Sequence, residues 1–127
     1  MLKAIAAFIG LLLLAFVALL AAFVWWSSSG VFSTSRFNAT VWFAKQTNET
    51  EVTCYRGGMA NDIQNRLLNP GMSTVEVEQI LGQPDFKASA EYRYVLGMCS
   101  GIGWDYDDLH IYFDDQGKLV RAAIIQH

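Results

Sequence analysis

Carboxylates, histidines and cysteines are the side chains of this sequence that could carry out chemistry. Five aspartates gather over eleven positions, at Asp105, Asp107, Asp108, Asp114 and Asp115. Carboxylate oxygens are the ligands that calcium prefers, but the spacing does not match the loop of an EF-hand. We therefore expect these aspartates to form a solvated rim and not a calcium site.

Two histidines, His110 and His127, are the nitrogen ligands available to zinc. They lack the paired spacing of zinc sites, so a histidine on a strand surface is the simpler interpretation. Cys54 and Cys99 lie in no motif of a catalytic thiol–histidine pair. The sequence predicts no metal, no cofactor and no catalytic residue, and we expect the protein not to be an enzyme.

The two cysteines fit an oxidising compartment. A bridge between Cys54 and Cys99 would close a loop whose chain-entropy contribution is about 4 kcal/mol. Two separate buried thiols are the alternative, because a pairing cannot be proved from sequence.

An apolar stretch without charge, residues 4–26, precedes all of these groups. As a helix it spans about 34 Å, which is enough to cross a bilayer with some tilt. Its 13 Leu, Ile, Phe and Val residues favour insertion by about 4 to 8 kcal/mol. A cleaved signal peptide, with Lys3 as its basic region, is the alternative, but such peptides have apolar cores of about 7 to 15 residues. We predict an uncleaved transmembrane signal-anchor helix over residues 1–26.

The flanks of the anchor predict its orientation. Lys3 precedes it, whereas no basic residue follows it before Arg36. Basic flanks stay in the cytoplasm, so the C-terminal domain should be outside, in the periplasm behind the inner membrane of a bacterium, with Trp25 and Trp26 at the outer lipid interface.

The part beyond the anchor is acidic. It carries eight Lys or Arg against twelve Asp or Glu, a formal charge of −4. A negative domain repels phosphate groups, which argues against nucleic acid and anionic lipid headgroups as partners.

The remaining chain divides into a linker and a domain. Residues 27–53 begin rich in Ser and become aromatic, and they either lie along the membrane surface or dock on the domain. The folded domain is predicted over residues 54–127. Its first helix follows from Met59, Ile63 and Leu67, which recur every four residues.

A second helix is predicted in "GMSTVEVEQILGQPD", residues 71–85. A capping box starts it, three apolar residues (Val77, Ile80 and Leu81) dock it on the sheet, and a Gly and a Pro end it. The role of Asp85 is not indicated by the sequence. The fold-defining residues are Gly71, Ser73, Glu76, Val77, Leu81, Gly82 and Pro84.

Three strands should follow the helices. Apolar and polar residues alternate at 91–96 and 108–113, and a turn containing Gly117 leads to a last strand at 119–126. A Gly-rich loop, residues 97–105, joins the first two strands. The predicted fold class is α+β: a two-layer α-α-β-β-β domain with an antiparallel three-stranded sheet under two helices.

Aromatic residues concentrate on the predicted sheet, its adjoining loop and the membrane flank. They suit a protein interface, although about half should belong to the core. The interaction candidates are Trp25, Trp26, Trp42, Tyr92, Tyr94, Trp104, Tyr106 and Tyr112.

Three segments together resemble a known family. "GMSTVEVEQILGQPD" at 71–85, the strand with paired tyrosines and "LHIYFDDQGKLVRAAI" at 109–124 are similar to the SmpA/OmlA (BamE-like) group of bacterial envelope domains. "RGGMANDIQNRLL" at 56–68 is similar to the first helix of small proteins with this pattern. The resemblance implies a fold akin to the repeats of β-lactamase inhibitory protein, acting by protein–protein contact.

Characterised BamE-like proteins are lipoproteins of the outer membrane, whereas this chain has an apolar helix in place of the lipid anchor. We therefore expect a non-enzymatic inner-membrane protein that is an accessory or stabilising subunit of a membrane protein complex and has no small-molecule ligand. The alternative is a periplasmic ligand-binding or sensing module, with the 97–105 loop as a lid.

Overall fold

The computed structural model describes residues 1–44, 53–101, 103 and 105–127. Residues 45–52 of the predicted linker and the predicted contact residue Trp104 lie outside the described residues. The chain begins with helix α1 (Leu2–Ser29). Within it, the 22 residues Ile5–Trp26 are apolar, and none of their most apolar window is buried against the protein. Helix α1 is long and apolar enough to cross a membrane.

The residues after α1 pack onto the domain. Helix α2 (Ala39–Trp42) follows, and both Phe32 and Trp42 belong to the buried core. The indole N–H of Trp42 donates a hydrogen bond of 2.8 Å to the Leu81 carbonyl. In its described part the linker therefore docks on the domain, one of its two predicted arrangements. The core also begins before residue 54, the predicted domain boundary, because these two apolar side chains find their partners there.

The first helix of the domain, α3, is irregular. It has a 3₁₀ turn at Gly57–Met59, an α turn at Ala60–Asp62 and a π-helical end at Ile63–Leu67. The N–H of Leu68 donates to the Ile63 carbonyl, five residues back, at 3.0 Å. This wider last turn brings Leu68 into the core, where it is buried.

The second helix of the domain, α4 (Thr74–Leu81), has the predicted capping box. The Glu76 N–H donates to Ser73 Oγ at 3.3 Å, and the Ser73 N–H donates to Glu76 Oε2 at 2.7 Å. Two N–H groups that an α-helix leaves unpaired at its start are thereby satisfied. Val77 and Leu81 are both buried, as the apolar stripe predicted.

The turn out of α4 is fixed by Gly82 and Asp85. Gly82 has a φ of 77°, which favours glycine. Asp85 accepts hydrogen bonds from the Val95 N–H at 2.8 Å and from Arg56 Nη1 at 3.2 Å. Arg56 also donates from Nε to the Trp42 carbonyl at 3.0 Å. Asp85 thus links the sheet to α2 through Arg56, a role that the sequence did not indicate.

The sheet has four antiparallel strands in the order β1 (Phe86–Lys87), β2 (Glu91–Gly97), β3 (Asp107–Phe113) and β4 (Leu119–Ile125). The prediction of three strands was therefore wrong. The missed strand, β1, pairs with β2 at the edge of the sheet. Two residues are too few to show the alternation by which strands are recognised.

The core lies between the helices and one face of the sheet. Tyr94, Leu109 and Ile111 are fully buried there against Ile63 of α3 and Val77 of α4. The hydroxyl of Tyr94 donates to the Gly82 carbonyl at 2.9 Å, and burial raises the pKa of Tyr94 above its ordinary value. The domain is therefore an α+β fold, as predicted, with one sheet face under the helices.

Cys54 and Cys99 form a disulfide with their Cα atoms 4.6 Å apart. The bond closes a loop across a sequence separation of 45 residues, for which the chain-entropy contribution is about 4 kcal/mol. Gly57 lies against both sulfur atoms, and a Cβ at this position would overlap them. Of the two arrangements left open for the cysteines, the structure contains the bridge.

Candidate functional site

The sheet face turned away from the helices carries most of the charged side chains of the strands. Alternation along a strand sends neighbouring residues to opposite faces, and the register of the four strands shows which residues share this face. We call it the outer face. It comprises Phe86, Glu91, Arg93, Val95, Asp108, His110, Tyr112, Arg121, Ala123 and Ile125.

His110 is at the centre of the outer face and is 93% buried, with a relative exposure of 7%. Its Nδ1 lies 2.7 Å from Glu91 Oε1, and Arg93 Nη2 donates to Glu91 Oε2 at 2.9 Å. The bond from Arg93 lowers the pKa of Glu91, burial opposes this, and His110 adds to the lowering. An ionised carboxylate only accepts hydrogen bonds, so Nδ1 of His110 carries the proton and donates.

Asp108 and His127 lie on the other side of the His110 ring. Asp108 Oδ2 is 3.9 Å from His110 Nε2 and 3.6 Å from His127 Nε2. The ligand atoms of the three residues all lie within 4.8 Å of one another. Burial raises the pKa of Asp108, and the two histidines oppose that rise. The cluster thus joins two ring nitrogens and one carboxylate oxygen.

Two atoms of this cluster are buried without a hydrogen bond. Among the described side chains, the buried atoms that have no partner are Nε of Arg93, Oδ1 of Asp108 and Nε2 of His110. Leaving such an atom unpaired costs about 1–3 kcal/mol. Asp108 Oδ1 and His110 Nε2, the two atoms that belong to the cluster, are therefore both able to bind a further group.

Arginines stack on aromatic rings elsewhere on the outer face. The guanidinium carbon of Arg121 lies 3.9 Å from the Tyr112 ring centroid, and that of Arg93 lies 4.7 Å from the Phe86 ring centroid. Arg121 is exposed, and Phe86 is 48% exposed. Arg and Tyr are, with Trp, the residue types enriched among the residues that dominate the energy of protein interfaces.

Asp107 fastens the loop beside the cluster. Its Oδ2 accepts from the N–H groups of Cys99 at 2.9 Å and Ser100 at 2.6 Å, and its Oδ1 accepts from Ser100 Oγ at 2.7 Å. The backbone N–H of His127 donates to Oδ1 at 3.3 Å. This fully buried carboxylate therefore positions both the loop and His127.

The outer face could orient a base or hold a cation. The Glu91–His110 bond resembles the pairing that orients a catalytic histidine. However, the hydrogen bonds of His110 to described side chains go to Glu91 and to the Tyr112 hydroxyl at 3.4 Å. Neither of these groups is a serine or cysteine nucleophile. The arrangement therefore suits cation binding better than nucleophilic catalysis.

The predicted contact aromatics have different positions. Trp42 and Tyr94 are 0% exposed and Tyr92 is 4% exposed. These three residues fill the core beneath the helices, as expected for about half of the aromatic candidates. Sequence alternation locates a face of a strand but does not say which face is covered.

Four other contact candidates are exposed or partly exposed. Trp25 and Trp26 are 70% and 72% exposed at the end of α1. Tyr106 and Tyr112 are partly exposed, and Tyr112 belongs to the outer face.

The five aspartates do not form one site. Asp105 accepts from the Tyr106 N–H, Asp107 is buried, and Asp108 is half-buried. Asp114 accepts from two N–H groups of its own turn. These different partners leave no shared point at which the five carboxylates could bind calcium together.

Comparison with known proteins gives no match: no protein-family model matches the chain, and no curated protein does. The resemblance to the BamE-like group therefore stays a prediction.

Sequence reasoning missed the meeting of His110 and His127. The register of β3 and β4 explains it, because Asp108 pairs with Ile125. His127 is two residues beyond Ile125, the end of β4, and therefore comes to the same face, next to Asp108. The signal was the hairpin register set by the turn at 114–118, and a search for closely spaced ligands does not use it.

Proposed function

We propose that the protein is a non-enzymatic, membrane-anchored envelope protein, an accessory or stabilising subunit of a membrane protein complex that binds through the outer face of its domain. The observation that carries the proposal is the pair of arginine–aromatic stacks on a sheet face that the described helices leave uncovered. The BamE-like segments of the sequence support a role in protein contact. The anchor supports a partner in the same membrane.

The proposed location is the inner membrane of a bacterium, with the N-terminus in the cytoplasm and the domain in the periplasm. Lys3 in the first turn of α1 and the lack of a basic residue between α1 and Arg36 support this orientation. The Cys54–Cys99 disulfide supports an oxidising compartment for the domain.

A ligand-binding or sensing module with a loop lid receives less support. The loop is fastened by the disulfide at Cys99 and by the bonds of Ser100 to Asp107. A lid must open without disturbing the core, and these bonds tie the described part of the loop to β3.

Purification through a tag in mild detergent tests the contact role. We expect a membrane protein to co-purify at a fixed stoichiometry. Replacing the exposed Arg121 by Ala should reduce its recovery at least about tenfold, as loss of an interface hot spot does. Gln79→Ala, an exposed change on α4, is the matched control and should leave recovery unchanged. A clean monomer in every detergent tried would contradict the proposal.

A further inference from the structure

We propose that Asp108, His110 and His127 bind a first-row transition-metal dication of the zinc class, through one carboxylate oxygen and the Nε2 atom of each ring. The inference does not depend on the contact role of the domain. It is based on the ligand types, their separations, the burial of His110 and the hydrogen bond on the far side of that ring.

The ligand types select the metal class. Two imidazole nitrogens with one carboxylate oxygen are a common zinc set, whereas calcium takes oxygen ligands. Asp108, His110 and His127 contribute one such atom each. A fourth position, open to water, completes a tetrahedron, as in zinc sites with three protein ligands.

The separations fit this geometry. Two ligands at ordinary zinc distances lie about 3.4 Å apart in a tetrahedral site. Asp108 Oδ2 lies 3.6 Å from His127 Nε2 and 3.9 Å from His110 Nε2. All ligand atoms are within 4.8 Å of one another. The side chain of His127 is 42% exposed, so it can move the remaining distance without disturbing the core.

The buried histidine supplies a second, independent indication. The side chain of His110 is only 9% exposed. Its Nε2 atom is buried and has no hydrogen-bond partner. It faces Asp108 and His127, the two other ligands of the proposed site. A metal ion would use this nitrogen, which otherwise loses its water without gaining a partner.

Glu91 orients the His110 ring for metal binding. Its Oε1 lies 2.7 Å from Nδ1, so in the neutral ring the proton is held on Nδ1 and the lone pair is on Nε2. Metal-bound histidines commonly donate their second N–H to a carboxylate in this way. Arg93 Nη2 donates to the other oxygen of this carboxylate, Oε2, at 2.9 Å and so holds Glu91 in place. Glu91 is therefore a positioning residue that does not touch the metal.

The backbone fixes both histidines. His110 is in β3, paired with Arg93 of β2 and Ala123 of β4. The N–H of His127 donates to the buried Asp107. A bound ion would thus join the second residue after β4 to the middle of β3.

Zinc titration of the full chain tests the site. The protein should be purified in mild detergent with a tag that lacks histidine and with its disulfide intact, stripped with a chelator, and titrated with Zn²⁺ in competition with a coloured chelator. We expect saturable binding of one Zn²⁺ per chain and none of Ca²⁺. His127→Ala and Asp108→Asn should each weaken binding at least about tenfold, and Glu91→Gln about tenfold. Asp115→Asn, an exposed change outside the site, should have no effect.

Nuclear magnetic resonance of the two histidine rings gives a readout that a general loss of structure would not imitate. The chain has only these two histidines, so each ring can be followed. Zinc should shift both Nε2 resonances and leave the proton of His110 on Nδ1. The proposal would be overturned by zinc that does not bind saturably. It would also be overturned by binding that neither His127→Ala nor Asp108→Asn weakens while both variants keep the circular dichroism of the parent.

Discussion

The two faces of the sheet differ in whether their buried polar atoms have hydrogen-bond partners. On the core face, Tyr94, Leu109 and Ile111 are fully buried against the helices, and the hydroxyl of Tyr94 has its partner. On the outer face, buried atoms of Asp108 and His110 have no hydrogen bond. Two arginines there stack on aromatic rings at the surface. The side chains of the core face stabilise the fold, whereas the outer face has polar atoms that can still bind a partner.

Removing the disulfide should give the largest loss on the side of the fold. Cys54→Ser together with Cys99→Ser should reduce the free energy of unfolding by about 4 kcal/mol, because the unfolded chain regains the freedom of the closed loop. Urea unfolding of the full chain in detergent, followed by tryptophan fluorescence, measures this loss. Reduced wild-type protein should match the double variant. A loss below about 1 kcal/mol would show that the bridge does little for the core face.

Ile111→Ala should lower the free energy of unfolding by about 2–5 kcal/mol, because it opens a cavity in the core face. Ile111 is fully buried, whereas Arg121 belongs to the outer face and is exposed. The same urea experiment should therefore give a change within about 0.5 kcal/mol for Arg121→Ala. Equal losses in free energy of unfolding for Ile111→Ala and Arg121→Ala would contradict the distinction between the two faces.

Ser73→Ala tests the helix layer that covers the core face. It removes the side chain that accepts from the Glu76 N–H, and the expected loss in free energy of unfolding is about 1 kcal/mol. Ser73→Thr is the matched control and should retain most of the stability, since Thr also caps helices. If Ser73→Thr lowered the free energy of unfolding as much as Ser73→Ala, the capping box would not be what stabilises the start of α4.

Acid should loosen the docking of the segment after α1, with the smallest effect of the four. The hydrogen bond from Arg66, then that from the Phe37 N–H, hold the pKa of Asp62 well below its ordinary value of 3.8. A carboxyl group with a lowered folded-state pKa stabilises the fold above its unfolded pKa, and this contribution is lost as the pH falls through 3.8 towards the folded value. Thermal unfolding between neutral and acidic pH should therefore show a smaller acid-induced decrease for Asp62→Asn than for the parent. Parallel curves for the two proteins would contradict this.

Local signals predicted much of the core face. The Ser73–Glu76 capping box and the alternation of Leu109 and Ile111 need only neighbouring residues, and the structure has both. Strand β1 was not predicted, because two residues are too few to show the alternation of a strand. Trp42 was assigned to a linker, because its place in the core depends on Leu81 and Arg56, which are distant in sequence.

The outer face was less predictable for the same physical reason. His110 and His127 meet only because β3 and β4 pair in one particular register. Whether Tyr92 or Tyr112 faces solvent depends on which side the helices cover, and alternation is the same in both cases. The burial of Asp107 depends on bonds to a loop and to His127, the second residue after β4.

Photo-cross-linking in native membranes tests most directly the claim that the outer face is the contact face. Phe86 on the outer face and Phe43 beside α4 are 48% and 50% exposed, so a benzophenone analogue of phenylalanine can replace either at similar structural cost. We expect one discrete protein adduct from position 86 and none from position 43. A protein adduct from position 43 with none from position 86 would contradict it.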